Sequence, residues 1–151
     1  MRQIILLALL AALVFSGSAV AAPPTREPVP SEPFVTNSCG FDVLIEPVVG
    51  EFTLMTFPEG LPVVEFLAGP SLIRVSSENG SVLLNVSGPA FATVNHDGSV
   101  EFSGAGPWLF FEHPFTNLPA LAYVTGRLSF GSEEPTVSVT GQIVDVCALL
   151  D

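Results

Sequence analysis

Lysine is absent from the 151 residues, and the cations are four arginines set against fifteen Asp and Glu. Nucleic-acid binding needs clustered Lys and Arg to displace counterions from phosphates, so no nucleic-acid partner is expected. Docking to anionic lipid headgroups fails for the same reason. Without lysine there is no Walker loop, no Schiff-base chemistry and no Ser-x-x-Lys hydrolase motif. The serine-hydrolase pattern G-x-S-x-G is missing too, as are C-x-x-C, H-x-x-x-H and the run of alternating aspartates that calcium loops use. No metal or cofactor is expected on these grounds. Also lacking, outside the first fifteen residues, is any sustained i, i+3, i+4 apolar pattern.

The N-terminus supplies what the rest lacks. Met1 and Arg2 precede the apolar run Ile4–Phe15, which has the length of a signal-peptide core and is too short to span a bilayer comfortably. Ala19-Val20-Ala21 then fits the small-x-small cleavage pattern, so residues 1–21 read as a signal peptide and Ala22 as the mature N-terminus. Its removal takes away Arg2 alone among the charged residues, so the net charge of −11 becomes −12. The mature chain is expected to be secreted and extracellular, with no stable membrane insertion. Residues 22–38 follow, with Pro23, Pro24, Pro28, Pro30 and Pro33. Proline cannot donate to a ladder or continue a helix, so this stretch reads as a disordered, Pro-rich linker.

Residues 39–151 remain, roughly 110 residues and enough for one single-core domain. Its two cysteines, Cys39 and Cys147, bracket nearly all of it. In an exported chain an even count reads as a disulfide, here with one possible connectivity, tying the first strand to the last. Between them the apolar residues alternate. Phe41, Val43 and Ile45 share one face, as do Val82, Leu84 and Val86, then Val100 and Phe102, then Val124, Leu128 and Phe130. Val137 and Val139 begin another such face that loses its phase after Gly141, which predicts a bulge there. Asn79-Gly80 and Asp97-Gly98 are the dipeptides of two-residue type I′ hairpins, with positive φ at both residues. The expectation is a single all-β antiparallel domain of eight or nine strands, a barrel or a sandwich.

"CGF" at Cys39–Phe41, "GPWLFF" at Gly106–Phe111 and "DVCALL" at Asp145–Leu150 follow an export signal and a Pro-rich spacer. As a set these motifs resemble a group of uncharacterised small secreted proteins of high-GC Gram-positive bacteria, over the stretch from Cys39 to Leu150. The resemblance implies a bacterial, secreted chain with paired cysteines. It carries over no activity and no functional residue.

Candidate sites are few. His96 lies beside Asp97 and His113 beside Glu112, pairs that suit a base and its orienter or two metal ligands, but no third ligand stands at a usable spacing. A glycosidase pair drawn from Glu46, Glu51, Glu65 or Glu101 is less economical than solvent-facing strand positions. "GPWLFFEHPF" is the exception to the alternation, with four apolar residues in a row and the single tryptophan. It reads either as a strand covered on both faces or as an aromatic ligand surface. On the second reading Trp108, Phe110 and Phe111 are the ligand-binding candidates. Three functions stay open: a non-catalytic binding or structural module outside the cell, whose partner is a cell-wall component or a protein; a lipocalin-like carrier of a small apolar ligand; and a small barrel enzyme. A cavity above ~300 Å³ lined by Trp108 and phenylalanines favours the carrier.

Overall fold

The computed structural model describes residues 22–58, 63–132 and 135–151, so the expected signal peptide, residues 1–21, lies outside the described residues. Among these residues no helix is long and apolar enough to cross a membrane. Alternating apolar residues give antiparallel strands throughout. β1 (Thr25–Val29) and β2 (Phe34–Thr36) come before the first cysteine, and β3 (Val43–Gly50) runs into β4 (Phe52–Thr56) with only Glu51 between them. β5 (Val63–Ala68) runs into β6 (Ser71–Ser76) through Gly69 and Pro70, and β7 (Ser81–Asn85) is followed by β8 (Ala90–Val94). β9 (Val100–Ala105), β10 (Trp108–Phe111), β11 (Leu121–Gly131), β12 (Ser138–Asp145) and the short helix α1 (Cys147–Leu150) complete the chain.

The short strands join into longer passes. Gly50 faces Ser71 and Thr53 faces Ala68, so β3–β4 and β5–β6 form one long hairpin bent in the middle. β7 and β8 pair with β6 and β5 in turn, Asn85 opposite Leu72 and Ala90 opposite Leu67. β9 and β10 lie end to end along one edge of β11, Ala105 opposite Arg127 and Trp108 opposite Val124, while β12 takes the other edge. The connectivity is an up-and-down meander whose passes bend from one sheet into another. One sheet has four strands in the order β2-β3-β6-β7. The other has eight, β1-β4-β5-β8-β9-β11-β10 with β12 on β11, and curls into a half-barrel.

The bend has a steric cause. Gly50 sits at φ +94°, and a Cβ there would lie 1.7 Å from the Pro70 carbonyl oxygen; one on Gly69 would lie 2.2 Å from the Glu51 oxygen. The two backbones touch where the hairpin turns its corner, which only residues without a side chain allow.

The smaller sheet packs its inner face onto the far end of the larger one. Val43, Ile45, Val75, Leu84 and Val86, all placed inward by the alternation, meet Leu121, Val146 and Leu150 in one buried cluster. A second cluster, Ala122, Val124, Leu128 and Val137, lies on the inner face of the half-barrel, with Phe110, Phe115 and Phe130 against it. Cys39 and Cys147 are bonded, joining the turn ahead of β3 to α1 across 108 residues. The C-terminus is further tied down. Ser77 Oγ donates to the Leu150 carbonyl at 2.6 Å, Val146 N–H donates to the Leu121 carbonyl, and Leu150 is 1% exposed.

Four expectations need correction. The segment 22–38 is not a disordered linker throughout, because β1 pairs with β4, Pro28 opposite Thr53, and β2 pairs with β3. β1 is an edge strand, where a proline's missing N–H faces away from the ladder. Neither dipeptide makes a type I′ turn. Around Asn79 the Ser77 N–H donates to the Gly80 carbonyl, and neither Asn79 nor Gly80 has positive φ. At Asp97 the loop has three residues, closed by Asn95 and Ser99, with Gly98 alone at φ +86°. Finally, no bulge follows Gly141. The β11–β12 register is unbroken, and Gly141 faces Gly126 where the backbones approach so closely that a Cβ on Gly141 would meet the Thr125 oxygen at 1.8 Å.

A prediction follows from the two turns. Gly98→Val should cost roughly 1–2 kcal/mol because valine resists positive φ, whereas Gly80→Ala should change stability by less than ~0.5 kcal/mol. The contrast is expected because a Cβ at Gly80 meets only the Leu149 oxygen, at 3.8 Å. Urea denaturation of both variants measures it, and equal losses would contradict the turn assignment. The Asp97 carboxylate accepts from the Ser99 hydroxyl and then from the Ser99 N–H, which holds its pKa below the usual carboxylate value. A depressed pKa supports the folded state above the carboxylate range and loses that support as pH falls through it.

Candidate functional site

β8 and β9 pair, but the halves that continue them, β7 and β10, do not, so the two sheets part. A cleft of about 330 Å³ opens between the inner face of the smaller sheet and β10. Four aromatic rings line it, Phe52, Trp108 and Phe111 on the larger sheet and Phe34 on the smaller. Phe52 stacks on Trp108 with ring centroids 6.3 Å apart and an interplanar angle of 11°, and Phe34 meets Phe111 at 5.0 Å. On the smaller sheet Phe34 lies beside Ile45, its partner in the β2–β3 pair, and Ile73 and Val86, just past β7, complete that side. The segment between β1 and β2, Pro30 to Glu32, closes one side.

The rim is fixed by polar contacts between sheets. Tyr123 Oη donates to the Asn85 carbonyl at 3.0 Å, bridging β11 to the end of β7, and burial raises the phenol's pKa. At the other end Thr36, 2% exposed, donates from Oγ1 to Glu112 Oε1 at 2.9 Å. Glu112 adopts φ +48°, unusual for a residue with a side chain, and its N–H points to Ser38 Oγ. This contact clamps the exit of β10 to the exit of β2.

Trp108 is held by shape. Its Nε1 is buried and has no hydrogen-bond partner among the described residues. A Cβ on Gly88 would lie 2.4 Å from that nitrogen and one on Gly104 3.1 Å, so the indole edge rests on bare backbone. An unpaired buried N–H costs about 1–3 kcal/mol. What offsets it is the ring area that Trp108 packs against Phe52 and the second core cluster.

Of the three aromatic candidates, Trp108 and Phe111 line the cleft and Phe110 does not. Phe110 packs edge to face with His113, Phe115 and Phe130, on the face of β10 opposite Leu109 and Phe111, where Trp108 also meets the second core cluster. The run of four apolar residues is therefore a strand covered on both faces, and one of those faces borders an opening. Phe34, Ile73 and Val86 were not legible as site residues, and Phe52 was legible only as one of several phenylalanines able to line or fill an interior. Phe34 lay in the stretch read as spacer, although Phe34-Val35-Thr36 is a run of three strand formers that could have marked it.

The histidines are placed differently from each other. His96 stands exposed in the β8–β9 turn. His113 has both nitrogens engaged: Nδ1 accepts from the Phe115 N–H at 3.2 Å, which leaves Nε2–H to donate to the Pro119 carbonyl at 2.9 Å. That pattern orients the ring and holds the loop. Glu65 and Glu101 are exposed strand residues, and Glu46 faces Arg74 across the β3–β6 pair. Among the described residues no three His, Cys, Asp or Glu side chains gather as a metal site. A broader depression of about 770 Å³ covers the Asn95–Glu101 hairpin, Ser129–Ser132 and Ser138. Its lining is mainly polar, so the aromatic cleft is the better candidate for an apolar ligand. Compared with protein-family models, curated proteins and solved structures, the chain matches none.

Proposed function

We propose that the protein is a secreted, non-catalytic binding domain that holds a small apolar ligand in the cleft beside Trp108. The observation that carries this is the cleft itself. At about 330 Å³, lined by four aromatic rings and by aliphatic side chains, it has the size and lining of a small-ligand site. A filled interior would have made the phenylalanines simple packing. Cys39–Cys147 is consistent with an oxidising compartment, and secretion fits the signal-like N-terminus. The bacterial origin implied by the motif set is part of the same reading. The non-catalytic part is supported by His113, whose two nitrogens are used within the fold.

The test is chemical. Mature protein purified without detergent is expected to carry, or to take up from a mixture of apolar metabolites, a small molecule that organic extraction and mass spectrometry identify. Ile73→Phe, which fills the cleft from the β6 wall, should take up several-fold less while melting cooperatively. Equal uptake by the two proteins, or none by either, would sink the proposal.

A further inference from the structure

Resting on that reading, we infer that the ligand is an organic cation, an amine or quaternary ammonium on an apolar body, and that Glu32 is the residue that selects its charge. Three observations converge. The first is the ring content of the cleft. Trp108 and Phe111 on β10, Phe52 on β4 and Phe34 on β2 present aromatic surface from three strands and both sheets, in two ring pairs. Aromatic faces carry negative potential and attract a poorly hydrated cation. Quaternary ammonium groups are held in this way, more tightly when water is excluded.

The second is the charge at the rim. Glu32 is the one ionisable residue lining the cleft among the described residues, and Ser31 and Ser71 are its other polar side chains. No arginine lines it, so a carboxylate or phosphate on a ligand finds no partner there and would lie beside Glu32. The third is the field of the whole chain. Net charge −11 with four cations in all concentrates organic cations near the surface and repels fatty acids. The usual occupant of an apolar cleft, a fatty carboxylate, is thus disfavoured by both near and far charges. The ammonium is placed at the Glu32 side, with the apolar body against Ile45, Ile73 and Leu109.

Three ligands with one alkyl chain and different heads separate the ideas: decyltrimethylammonium, decanol and decanoate, each titrated calorimetrically below its aggregation concentration. The expected result is saturable binding of the ammonium, about tenfold tighter than the alcohol, with decanoate weakest. Glu32→Gln should narrow the ammonium-to-alcohol gap several-fold and leave decanol binding unchanged. Glu101→Gln, an exposed acid on β9 away from the cleft, controls for general attraction to an acidic protein and should leave the gap intact. If decanol and decanoate bind as well as the ammonium, or if Glu32→Gln and Glu101→Gln act alike, charge selection by Glu32 is wrong while the apolar site stands. If none of the three binds, the site itself is wrong and this inference falls with it.

Discussion

Cys147→Ser is expected to lower the stability of the mature domain by ~5 kcal/mol, the value chain entropy gives for opening a loop of about 100 residues. The bridge spans 108 residues and encloses β3 through β12, so without it the unfolded chain regains nearly all of its freedom. Stabilities of small domains run from about 5 to 15 kcal/mol, which makes this a large share. The contacts near the bridge will not replace it. α1 has only four residues, and its hold on the domain is the Ser77–Leu150 hydrogen bond and the burial of Leu150. Urea unfolding of wild type with and without reductant, beside Cys147→Ser, measures the loss. Reduced wild type should match the variant. A loss below ~1 kcal/mol would mean that the sheets alone fix the two ends.

Gly50→Ala is expected to be nearly as damaging, at least ~3 kcal/mol, although it adds one methyl group. The added Cβ would sit 1.7 Å from the Pro70 oxygen and 2.6 Å from its carbonyl carbon, and φ +94° is unfavourable for alanine. The obstacle is backbone, so no rotamer change relieves it. Either β3 and β6 part at the corner or the hairpin straightens. Straightening would pull the smaller sheet off the first core cluster, so the damage should spread well beyond the corner. Gly40→Ala makes a fair comparison, since Gly40 also has positive φ but nothing lies within 4 Å of its would-be Cβ. It should cost about 1–2 kcal/mol. Denaturation midpoints of the pair give the answer, and equal losses would show that the corner is not close-packed.

These glycines mark how far the sequence speaks for the structure. Alternation in 41–45 and 82–86 named the inward side chains correctly, because a strand's period of two ties burial to residue number. The disulfide and the antiparallel, all-β class were legible for similarly local reasons. The corners were not. Gly50 and Gly69 matter because they touch the opposite chain, a contact between residues about twenty positions apart that no local pattern announces. Turn chemistry misled at Asn79-Gly80, since an Asn-Gly pair permits positive φ without requiring it. The prolines misled at β1, where an edge position made Pro28 harmless.

The site was legible in part for the same reason. Trp108 and Phe111 stood out because "GPWLFF" breaks the alternation, and a strand apolar on both sides must be covered twice or border something. Phe34, Phe52 and Ile73 come from three other passes and meet Trp108 only after the meander has bent. Phe110, equally prominent in sequence, points away from Leu109 and Phe111 because neighbouring strand residues face opposite ways. It shares the face of Trp108, two residues earlier, and packs into the second core cluster, while Trp108 reaches the cleft from the start of β10.

Trp108 is the only tryptophan in the chain, and it lines the cleft, so its fluorescence reports on the proposed site without labelling. The most direct test is to titrate the mature domain with decanol while following Trp108 emission and its quenching by acrylamide. If the cleft binds apolar ligands, emission shifts to the blue and quenching falls, both saturating at one equivalent, and Ile73→Phe shows neither change. An emission spectrum and quenching constant that stay the same at every ligand concentration, in wild type and variant alike, would contradict a ligand site at Trp108.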